Sequence, residues 1–438
     1  MLTVKRVALP LALLLFILSV TTIQSLEQNG NTISSYGIVN IAEDAGQIKI
    51  LRQCFDRSGV SATQFASLVD VYQGSLSPTW NTLPKVREAK AIRPDILTFV
   101  YYNTYRVWGP NRPSEYDAAK LQMFKDNNWL LKDASGSYVM MKNGEGYYAD
   151  IGNSGFQAWL ANWYKDKVDT YGLDGVSLDN YNPSLYVWWN AATTPINPRT
   201  GSPWTHQQIC DAYKGVTLKI REVLGPDKII LVNGIWNGHR FWDCGITQYW
   251  QDAILNGGID AIMSEGWMVE LDASELYSEE NWLDSINLAL WLEDNFPSAG
   301  GKYFMTICTD WSFADFSTPD FPSDMTEEQY QQFATYCYAS RLLTVKNLIP
   351  IMTYWFYMEY DYPQNLFKIN IGTPSENYHT LGSSHVYARK FTGGIVLVNP
   401  TSSNYTVTIG SGYKNAIKGN SEPSVLTVPA HTGVILSG

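Results

Sequence analysis

The sequence has little charge and none of the common motifs for metal, nucleotide or serine chemistry. Charged residues make up 17% of its 438 residues, against roughly 25% in soluble domains. Its five histidines show no His-x-x-His or His-Glu-x-x-His spacing, which argues against a metal-dependent hydrolase. No Gly-x-Ser-x-Gly elbow, GxGxxG loop or Walker loop occurs. We therefore expect no metal and no cofactor.

The cysteines indicate neither a disulfide framework nor a zinc site. There are five, an odd number, and none is in Cys-x-x-Cys spacing. One bridge could form in an oxidising compartment. Its partners stay open among Cys54, Cys210, Cys244, Cys308 and Cys337.

Positively charged residues are fewer than negatively charged ones. The formal net charge is -11, from 31 Lys and Arg against 42 Asp and Glu. Nucleic acids and anionic membranes are negatively charged as well, so we expect neither as a partner.

Long apolar runs are absent after the N-terminus. Lys5 and Arg6 precede a run from Val7 to Val20 that only Pro10 and Ser19 interrupt. This pattern predicts a cleaved signal peptide over residues 1–25, with an uncleaved N-terminal anchor as the alternative. We therefore expect an extracellular protein, secreted or on the cell surface, with no other membrane contact.

Aromatic side chains are abundant, with 16 Trp and 28 Tyr. A large core would account for most of them. Flat rings also stack on the apolar faces of pyranose sugars, so an aromatic-lined sugar cleft is the sharper interpretation.

Short apolar segments alternate with helical ones over residues 35–362. They are rich in Val, Ile and Tyr, as strands buried on both faces should be. Eight of them predict an α/β fold, a (β/α)8 TIM barrel. The predicted strands are Tyr36–Ile41, Phe65–Gln73, Ile96–Tyr102, Val176–Asp179, Lys228–Gly234, Ala261–Glu265, Tyr303–Cys308 and Pro350–Phe356.

Helix boundaries can be read between these strands. Ser154 with Gln157, and Thr326 with Gln329, have the spacing of capping boxes. Gly172 suits the left-handed position that ends a helix.

After Pro363 the pattern changes to alternating apolar and polar residues between Gly, Ser and Asn turns. It predicts a small C-terminal antiparallel β-domain over residues 376–438. Its strands are predicted at His385–Phe391, Gly394–Asn399, Tyr405–Ile409 and Val425–Leu436.

Two carboxylates end predicted strands, and the active site of a (β/α)8 barrel lies at that end. Asp-Gly-Val-Ser-Leu-Asp ends in Asp179, and Gly-Ile-Asp-Ala-Ile-Met-Ser-Glu ends in Glu265. Cleavage of a glycosidic bond needs two carboxyl groups, so we expect Asp179 as nucleophile and Glu265 as general acid/base. The structural alternatives are a loop-capping aspartate and a salt-bridged rim glutamate.

Other polar and aromatic residues near the same end are candidates for substrate binding. Asp150 is expected to bind substrate or to serve structure, with a catalytic role as the alternative. Asp310 is expected to contact a sugar hydroxyl or to lie in a surface loop. Arg106 and Trp108 are candidates for the cleft wall. The remaining candidates for substrate contact are Tyr102, Asn103, Asn180, Asn233, Trp267 and Tyr354.

These motifs resemble a known family. Tyr-Ala-Asp-Ile-Gly-Asn at 148–153 and Asp-Gly-Val-Ser-Leu-Asp-Asn at 174–180 are similar to the signature of a glycoside hydrolase family with a (β/α)8 barrel. That family is related to endo-α-1,4-polygalactosaminidases and more distantly to α-galactosidase-like enzymes. The segments at 387–401 and 428–436 resemble the C-terminal β-domain of such enzymes. The resemblance implies a retaining mechanism on an α-linked glycan, with Asp179 as nucleophile and Glu265 as acid/base.

The sequence thus predicts a secreted glycoside hydrolase, and the resemblance implies that it acts on an α-linked polysaccharide or glycan by double displacement. A carbohydrate is its expected partner. The alternative from another class is a non-catalytic carbohydrate-binding protein of the cell surface on the same scaffold.

Overall fold

The computed structural model describes residues 48–52, 61–76, 81–243, 245–269, 276–308, 326–354 and 365–438. In chain order, the strands of its first part are β1 (Lys49–Arg52), β2 (Val71–Ser75), β3 (Leu97–Asn103), β4 (Arg106–Trp108), β5 (Gly146–Tyr148), β6 (Gly175–Asp179), β7 (Ile196–Asn197), β8 (Ser202–Pro203), β9 (Ile229–Ile235), β10 (Ala261–Ser264), β11 (Tyr303–Cys308) and β12 (Ile349–Tyr354). The helices are α1 (Ala62–Leu68), α2 (Leu83–Ile92), α3 (Ala118–Asp126), α4 (Ser154–Tyr171), α5 (His206–Leu224), α6 (Gly238–Asp243), α7 (Thr247–Asn256), α8 (Glu279–Asn295) and α9 (Glu327–Leu342).

Eight parallel strands close into a barrel in the order β1–β12–β11–β10–β9–β6–β3–β2. This confirms the predicted α/β fold, a (β/α)8 TIM barrel. The interior contains a cluster of apolar side chains from these strands, so this part of the barrel is a packed core. The interior cluster comprises Leu51, Val71, Phe99, Ile229, Leu231, Ala261, Met263, Met305, Ile307 and Ile351.

The helix boundaries follow local capping chemistry. The Thr326 and Gln329 capping box opens α9 as predicted. Helix α4 ends at Gly172, whose φ of 65° is the left-handed conformation predicted for it. Its N-cap is Asn153 and not Ser154, because the Asn153 side chain accepts hydrogen bonds from the next free N–H groups.

The beginning of the barrel differs from the prediction. The predicted strand Tyr36–Ile41 lies outside the described residues, and Lys49–Arg52 forms a barrel strand that was not predicted. The predicted strand Phe65–Gln73 is wrong in its first half. A capping box of Ser61 and Gln64 starts α1 there, and β2 begins only at Val71. A local hydrogen-bonding signal outweighed the apolar composition of the segment.

A buried ion pair ties α8 to α9. Arg341 Nη2 donates to Glu293 Oε1 at 3.1 Å, and both side chains are fully buried. Glu293 Oε2 also accepts from the backbone N–H groups of Asn347 and Leu348, in the turn that leads into β12. The glutamate thereby organises the connection to the last barrel strand.

The C-terminal part is antiparallel, as predicted, but the predicted strand Val425–Leu436 is two strands separated by a turn. Its strands are β13 (His379–Thr380), β14 (Tyr387–Phe391), β15 (Gly394–Asn399), β16 (Tyr405–Thr408), β17 (Lys414–Asn415), β18 (Val425–Val428) and β19 (Thr432–Ser437). They form a five-stranded sheet in the order β13–β14–β15–β19–β17 and a separate pair of β16 with β18.

The larger C-terminal sheet packs on the last barrel helix. Arg389 of β14 donates through Nη1 to three carbonyls at the carboxyl end of α9, those of Leu342, Leu343 and Val345. A cation at this end of a helix satisfies unpaired carbonyls and complements the helix dipole. None of the described helices is long and apolar enough to cross a membrane.

Candidate active site

Asp179 ends β6, where its carboxylate accepts hydrogen bonds from four side chains. Oδ2 accepts from the Tyr101 hydroxyl at 2.6 Å, from Asn180 Nδ2 at 2.6 Å and from Asn103 Nδ2 at 3.4 Å. Oδ1 accepts from Asn233 Nδ2 at 3.0 Å. Donors on both oxygens stabilise the anion and hold it in one orientation.

Glu265 follows β10 and shares one of these donors. Asn233 Nδ2 donates to Glu265 Oε1 at 2.7 Å as well as to Asp179. Because both carboxylate oxygens lie within 3.0 Å of one nitrogen, they are at most about 6 Å apart. Asn233 is carried by β9, which lies between β6 and β10 in the barrel, and its amide sets the spacing of the pair.

Burial makes both carboxyl groups harder to ionise. The pKa of Glu265 rises from 4.5 to about 8, first because of burial and then because of the charge of Asp179. Burial also raises the pKa of Asp179, while the hydrogen bond from Tyr101 and the charge of Arg106 oppose that rise. Asp179 therefore ionises first, and Glu265 keeps its proton at neutral pH.

Arg106 supplies positive charge to the pair. It is the first residue of β4, and its charge lowers the pKa values of both Asp179 and Glu265. Its backbone N–H donates to Asn103 Oδ1 at 3.0 Å, which also orients that amide. The residue therefore acts on the carboxyl pair at the centre of the candidate site.

Asn180 has an unusual backbone next to Asp179. Its φ is 56°, in the left-handed region of backbone conformation that residues with a Cβ adopt rarely. The Tyr213 hydroxyl donates to the Asn180 carbonyl at 2.7 Å, and the Tyr181 N–H donates to the Asn233 carbonyl at 2.7 Å. These bonds hold a strained turn, and strain of this kind concentrates at functional sites.

Tyr102 lies outside this site, which corrects its expected role in substrate binding. Its ring is 8% exposed and packs against Trp163, with centroids 4.7 Å apart, and against Trp159. Side chains alternate along a strand, so Tyr101 and Asn103 face Asp179 while Tyr102 faces the helices. The sequence analysis missed Tyr101. It could have been identified because it is two residues from Asn103, and residues two apart on a strand face the same side.

Trp267 also lies in the core and not in the cleft. Its side chain is fully buried, and its indole N–H donates to the Cys337 carbonyl at 3.2 Å. Its ring meets Phe304 edge to face at 6.0 Å. The chain has left β10 at this point, so the two-residue separation from Glu265 no longer keeps the side chains on one face.

Asp150 holds a loop together. It is 1% exposed, and its two oxygens pair with the Arg199 guanidinium at 2.9 and 3.0 Å. Oδ1 also accepts from the Gly152 N–H at 3.1 Å. Its oxygens are therefore engaged, and of the two expected roles the contacts support the structural one. Arg199, between β7 and β8, was not identified from the sequence because the pair spans 49 residues.

Asp310 lies outside the described residues. Tyr354 is the last residue of β12 and pairs in register with Cys308, and its side chain is outside the described set.

A cavity of about 300 Å³ lies beside Asn180, and neither Asp179 nor Glu265 is among the residues that line it. Asn180 lines the cavity and also donates to Asp179. The cavity is lined by the end of β9, by residues that follow β3, β6 and β9, and by residues of α6 and at the start of α7. It therefore lies on the face of the barrel that carries Asp179 and Glu265.

The arrangement provides one anionic and one protonated carboxyl group, close together in a half-buried site. Such a pair can attack an electrophilic carbon and protonate a leaving oxygen in the same step. Within the described part of the chain, no group of His, Cys, Asp and Glu has the geometry to hold a metal ion.

Solved structures with a similar fold include an alpha-amylase and a pullulanase. A noncanonic maltogenic alpha-amylase from Thermotoga neapolitana matches with a TM-score of 0.51 and 12% identity, over 89% of this chain and 98% of that chain. A pullulanase from Anoxybacillus sp. LM18-11, complexed with maltotriose, matches with a TM-score of 0.52 and 10% identity, over 93% of this chain and 71% of that chain. At these identities the likeness concerns the fold. No curated protein matches by sequence.

The family comparison is more specific. Residues 90–395 match the model of hypothetical glycosyl hydrolase family 15. The matched span is more than half of the chain and contains both Asp179 and Glu265. The protein is therefore a glycoside hydrolase, and the chain belongs to hypothetical glycosyl hydrolase family 15.

Proposed function

We propose that the protein is a retaining glycosidase that cleaves α-linked glycans, with Asp179 as nucleophile and Glu265 as general acid/base. The observation that carries this proposal is that the two carboxyl groups accept different numbers of hydrogen bonds. Asp179 accepts from four side chains, whereas Glu265 accepts from Asn233 alone among the described residues. The first is stabilised as an anion, and the second retains a proton to donate.

In the first step, Glu265 protonates the glycosidic oxygen as an Asp179 oxygen attacks the anomeric carbon. The bond between that carbon and the leaving oxygen breaks, and a glycosyl ester on Asp179 forms. Glu265, now ionised, then takes a proton from water, whose oxygen attacks the same carbon and releases Asp179. Asn233 and Tyr101 hold the nucleophile throughout.

The spacing of the carboxyl groups supports retention of configuration. The bridged oxygens are at most about 6 Å apart, near the roughly 5–5.5 Å of retaining enzymes and short of the roughly 6.5–9.5 Å of inverting ones. An inverting enzyme needs that larger gap to seat a water molecule between base and substrate.

The α-linkage rests on the resemblance at the fourth and sixth strands and on the names of the similar structures, an alpha-amylase and a pullulanase. α-Glucans are therefore the first substrates to test, followed by α-galactosaminides. We further propose that residues 1–25 are a signal peptide that directs secretion, because two cations precede a short apolar run there. N-terminal sequencing of protein from the culture medium would test the cleavage.

The deciding experiment is reducing-sugar release from a panel of α- and β-linked polysaccharides. The wild type is compared with Asp179→Asn and with Asp166→Asn, a control on α4 whose side chain is 62% exposed. We expect release from an α-linked polymer that falls at least about a thousandfold in Asp179→Asn and is unchanged in the control. Nuclear magnetic resonance of the first product identifies its anomer.

Equal release by Asp179→Asn would remove this residue from the mechanism. Initial formation of the opposite anomer would show inversion. Glycan binding by the wild type without any hydrolysis would favour the non-catalytic carbohydrate-binding alternative.

A further inference from the structure

Asn180 combines a strained backbone with a short hydrogen bond to the proposed nucleophile. Its φ is 56°, and its Nδ2 donates to Asp179 Oδ2 at 2.6 Å. Side chains of consecutive residues on an extended strand point to opposite faces. An extended Asn180 would therefore face away from Asp179, and the left-handed turn after β6 brings its amide back to the carboxylate. The backbone strain is thus the means by which this hydrogen bond forms.

The turn at Asn180 is fixed by its neighbours. The Tyr213 hydroxyl donates to the Asn180 carbonyl at 2.7 Å. The next N–H, that of Tyr181, donates at 2.7 Å to the Asn233 carbonyl on β9. The Tyr181 carbonyl lies so close to Gly234 that a Cβ on this glycine would clash with it. The chain after β6 is therefore packed against β9, which holds it in the left-handed turn.

The residue type at this position indicates that the side chain has a role of its own. Glycine adopts the left-handed region readily, and asparagine is among the few other residues that tolerate it. Glycine would therefore satisfy the backbone alone. Asn180 satisfies the backbone and also supplies a donor to Asp179.

The two oxygens of Asp179 are occupied to different extents. Oδ2 accepts at 2.6 Å from the Tyr101 hydroxyl and from the Asn180 amide, and at 3.4 Å from Asn103 Nδ2. Among the described side chains, Oδ1 accepts only from Asn233 Nδ2, at 3.0 Å. A carboxylate oxygen has about two acceptor positions. Oδ2 therefore has no position left for an attack, whereas Oδ1 is less occupied.

Oδ1 is also the oxygen that is linked to the proposed general acid. Asn233 Nδ2 donates to it and to Glu265 Oε1, at 3.0 and 2.7 Å. The glycosidic oxygen that Glu265 would protonate is bonded directly to the anomeric carbon. An attack on that carbon is therefore expected from the oxygen that shares a donor with Glu265.

We propose that Asn180 is a positioning residue that holds Oδ2 of Asp179, so that Oδ1 is the attacking oxygen. The inference rests on the proposed function for the reaction itself. Oδ1 forms the bond to the anomeric carbon as the leaving oxygen departs with the Glu265 proton, and Oδ2 becomes the carbonyl oxygen of the glycosyl ester.

The same hydrogen bond then assists the second step. Water attacks the anomeric carbon, its proton passes to Glu265, and the electron pair of the breaking bond returns to the Asp179 carboxylate. Negative charge builds up again on Oδ2, where the Asn180 amide stabilises it. The amide therefore favours hydrolysis of the ester more than its formation.

The test separates the two steps. Asn180→Gly keeps the left-handed turn and removes the amide, and the substrate is the dinitrophenyl α-glycoside of the sugar that the wild type releases. This leaving group needs no protonation, so the burst of dinitrophenolate reports formation of the ester and the later steady rate reports its hydrolysis. We expect a burst rate within about threefold of the wild type and a steady rate about 10- to 100-fold lower. Covalently glycosylated protein should accumulate in the mass spectrum.

The matched control is Asn128→Gly. Asn128 lies two residues after α3 with a φ of 52°, is exposed, and its side chain makes no hydrogen bond within the described part of the chain. The control makes the same change to a left-handed residue outside the candidate site and should leave both rates unchanged. Both glycine variants should melt within about 4 °C of the wild type.

Two kinetic results would overturn the inference. Equal losses in the burst and in the steady rate of Asn180→Gly would show that the amide acts on the shape of the site and not on the second step. Wild-type values for both rates would show that it acts on neither.

A measurement without turnover keeps the inference separate from the proposed function. The Asp179 carboxyl group is titrated by ¹³C nuclear magnetic resonance, with its signal assigned by its loss in Asp179→Asn. Asn180→Gly retains Tyr101 and the charged groups that act on this carboxyl, Arg106 and Glu265. We expect the pKa of Asp179 to be higher in Asn180→Gly, with acid dissociation about tenfold weaker, because a donor to the charged form is lost.

The two kinds of failure then differ. An unchanged pKa of Asp179 would overturn the role of Asn180 even in a protein that hydrolyses glycans. A raised pKa in a protein that hydrolyses nothing would keep Asn180 as the residue that holds Oδ2 and remove the catalytic proposal.

Discussion

The Tyr101 hydroxyl donates a 2.6 Å hydrogen bond to Asp179 Oδ2 from the neighbouring barrel strand. This bond lowers the pKa of a carboxyl group that burial raises. It therefore keeps the proposed nucleophile anionic at a pH at which Glu265 still holds its proton.

Tyr101→Phe should reduce kcat/KM by about 10- to 100-fold, the usual effect of losing a hydrogen bond to a charged group. Without this donor the pKa of Asp179 rises, so the acid limb of the pH–rate profile should move to higher pH. The control is Tyr102→Phe, because that hydroxyl is buried, has no hydrogen-bond partner among the described residues and faces the helices. An unshifted acid limb in Tyr101→Phe would show that this bond does not tune the nucleophile.

Glu265 should set the alkaline limb of activity. Its pKa of about 8 means that the acid form is lost above that pH, so kcat/KM should fall there. Glu265→Gln should abolish this limb. It should lower the rate by about a thousandfold or more on a poor leaving group, and far less on a dinitrophenyl glycoside, which leaves without protonation. An equal loss on both substrates would contradict the role of general acid.

The raised pKa of Glu265 also predicts that the folded protein loses stability as the pH rises. The folded state holds the Glu265 proton more tightly than the unfolded state, so the free energy of unfolding falls as the pH rises from 4.5 toward about 8. Below that window both states are protonated and the effect vanishes. Glu265→Gln should therefore leave stability unchanged at pH 4 and raise it at pH 9, by on the order of 1–2 kcal/mol.

Urea unfolding at the two pH values measures this difference. Glu222→Gln, on α5 with a side chain 66% exposed, is the matched control and should show no such pH dependence. A stability change of the same size at both pH values would point to packing and not to ionisation.

The buried pair of Arg341 and Glu293 should be sensitive to loss of one partner. Glu293→Gln should lower the free energy of unfolding by about 3–5 kcal/mol, because it leaves a buried cation without its counter-charge. Asp294→Asn, next in sequence with a side chain 53% exposed, should change it by less than about 1 kcal/mol. Rescue of Glu293→Leu by Arg341→Met would confirm that the uncompensated charge is the cause.

Much of the barrel was predictable because its strands are apolar runs between helices. From β3 onward, each barrel strand overlaps a predicted segment. The strand Lys49–Arg52 has only four residues with a cation at each end, so neither apolar content nor alternation marked it. Around Phe65 the apolar residues suited a helix as well as a strand, and the capping box of Ser61 and Gln64 decided between them.

The residues of the candidate site could also be predicted only in part. Asp179 and Glu265 could be placed because they end strands, and carboxyl ends of parallel strands share one face. The sequence could not show whether Tyr101 or Tyr102 faces the site. Strand β3 is apolar on both sides, so no alternation of apolar and polar residues distinguishes its two faces. The pairing of Asp150 with Arg199 and the gathering of Trp189 and Trp236 around one cavity depend on contacts between distant segments.

The pairing of β1 with β12 has a consequence for the folding of the protein during its synthesis. Lys49 pairs with Ile351 and Ile50 with Met352, partners about 300 residues apart in the chain. During synthesis the barrel stays open until Ile351 has left the ribosome, and until then β1 and β11 each have one unpaired edge. Closure is thus a late event in the life of the nascent chain.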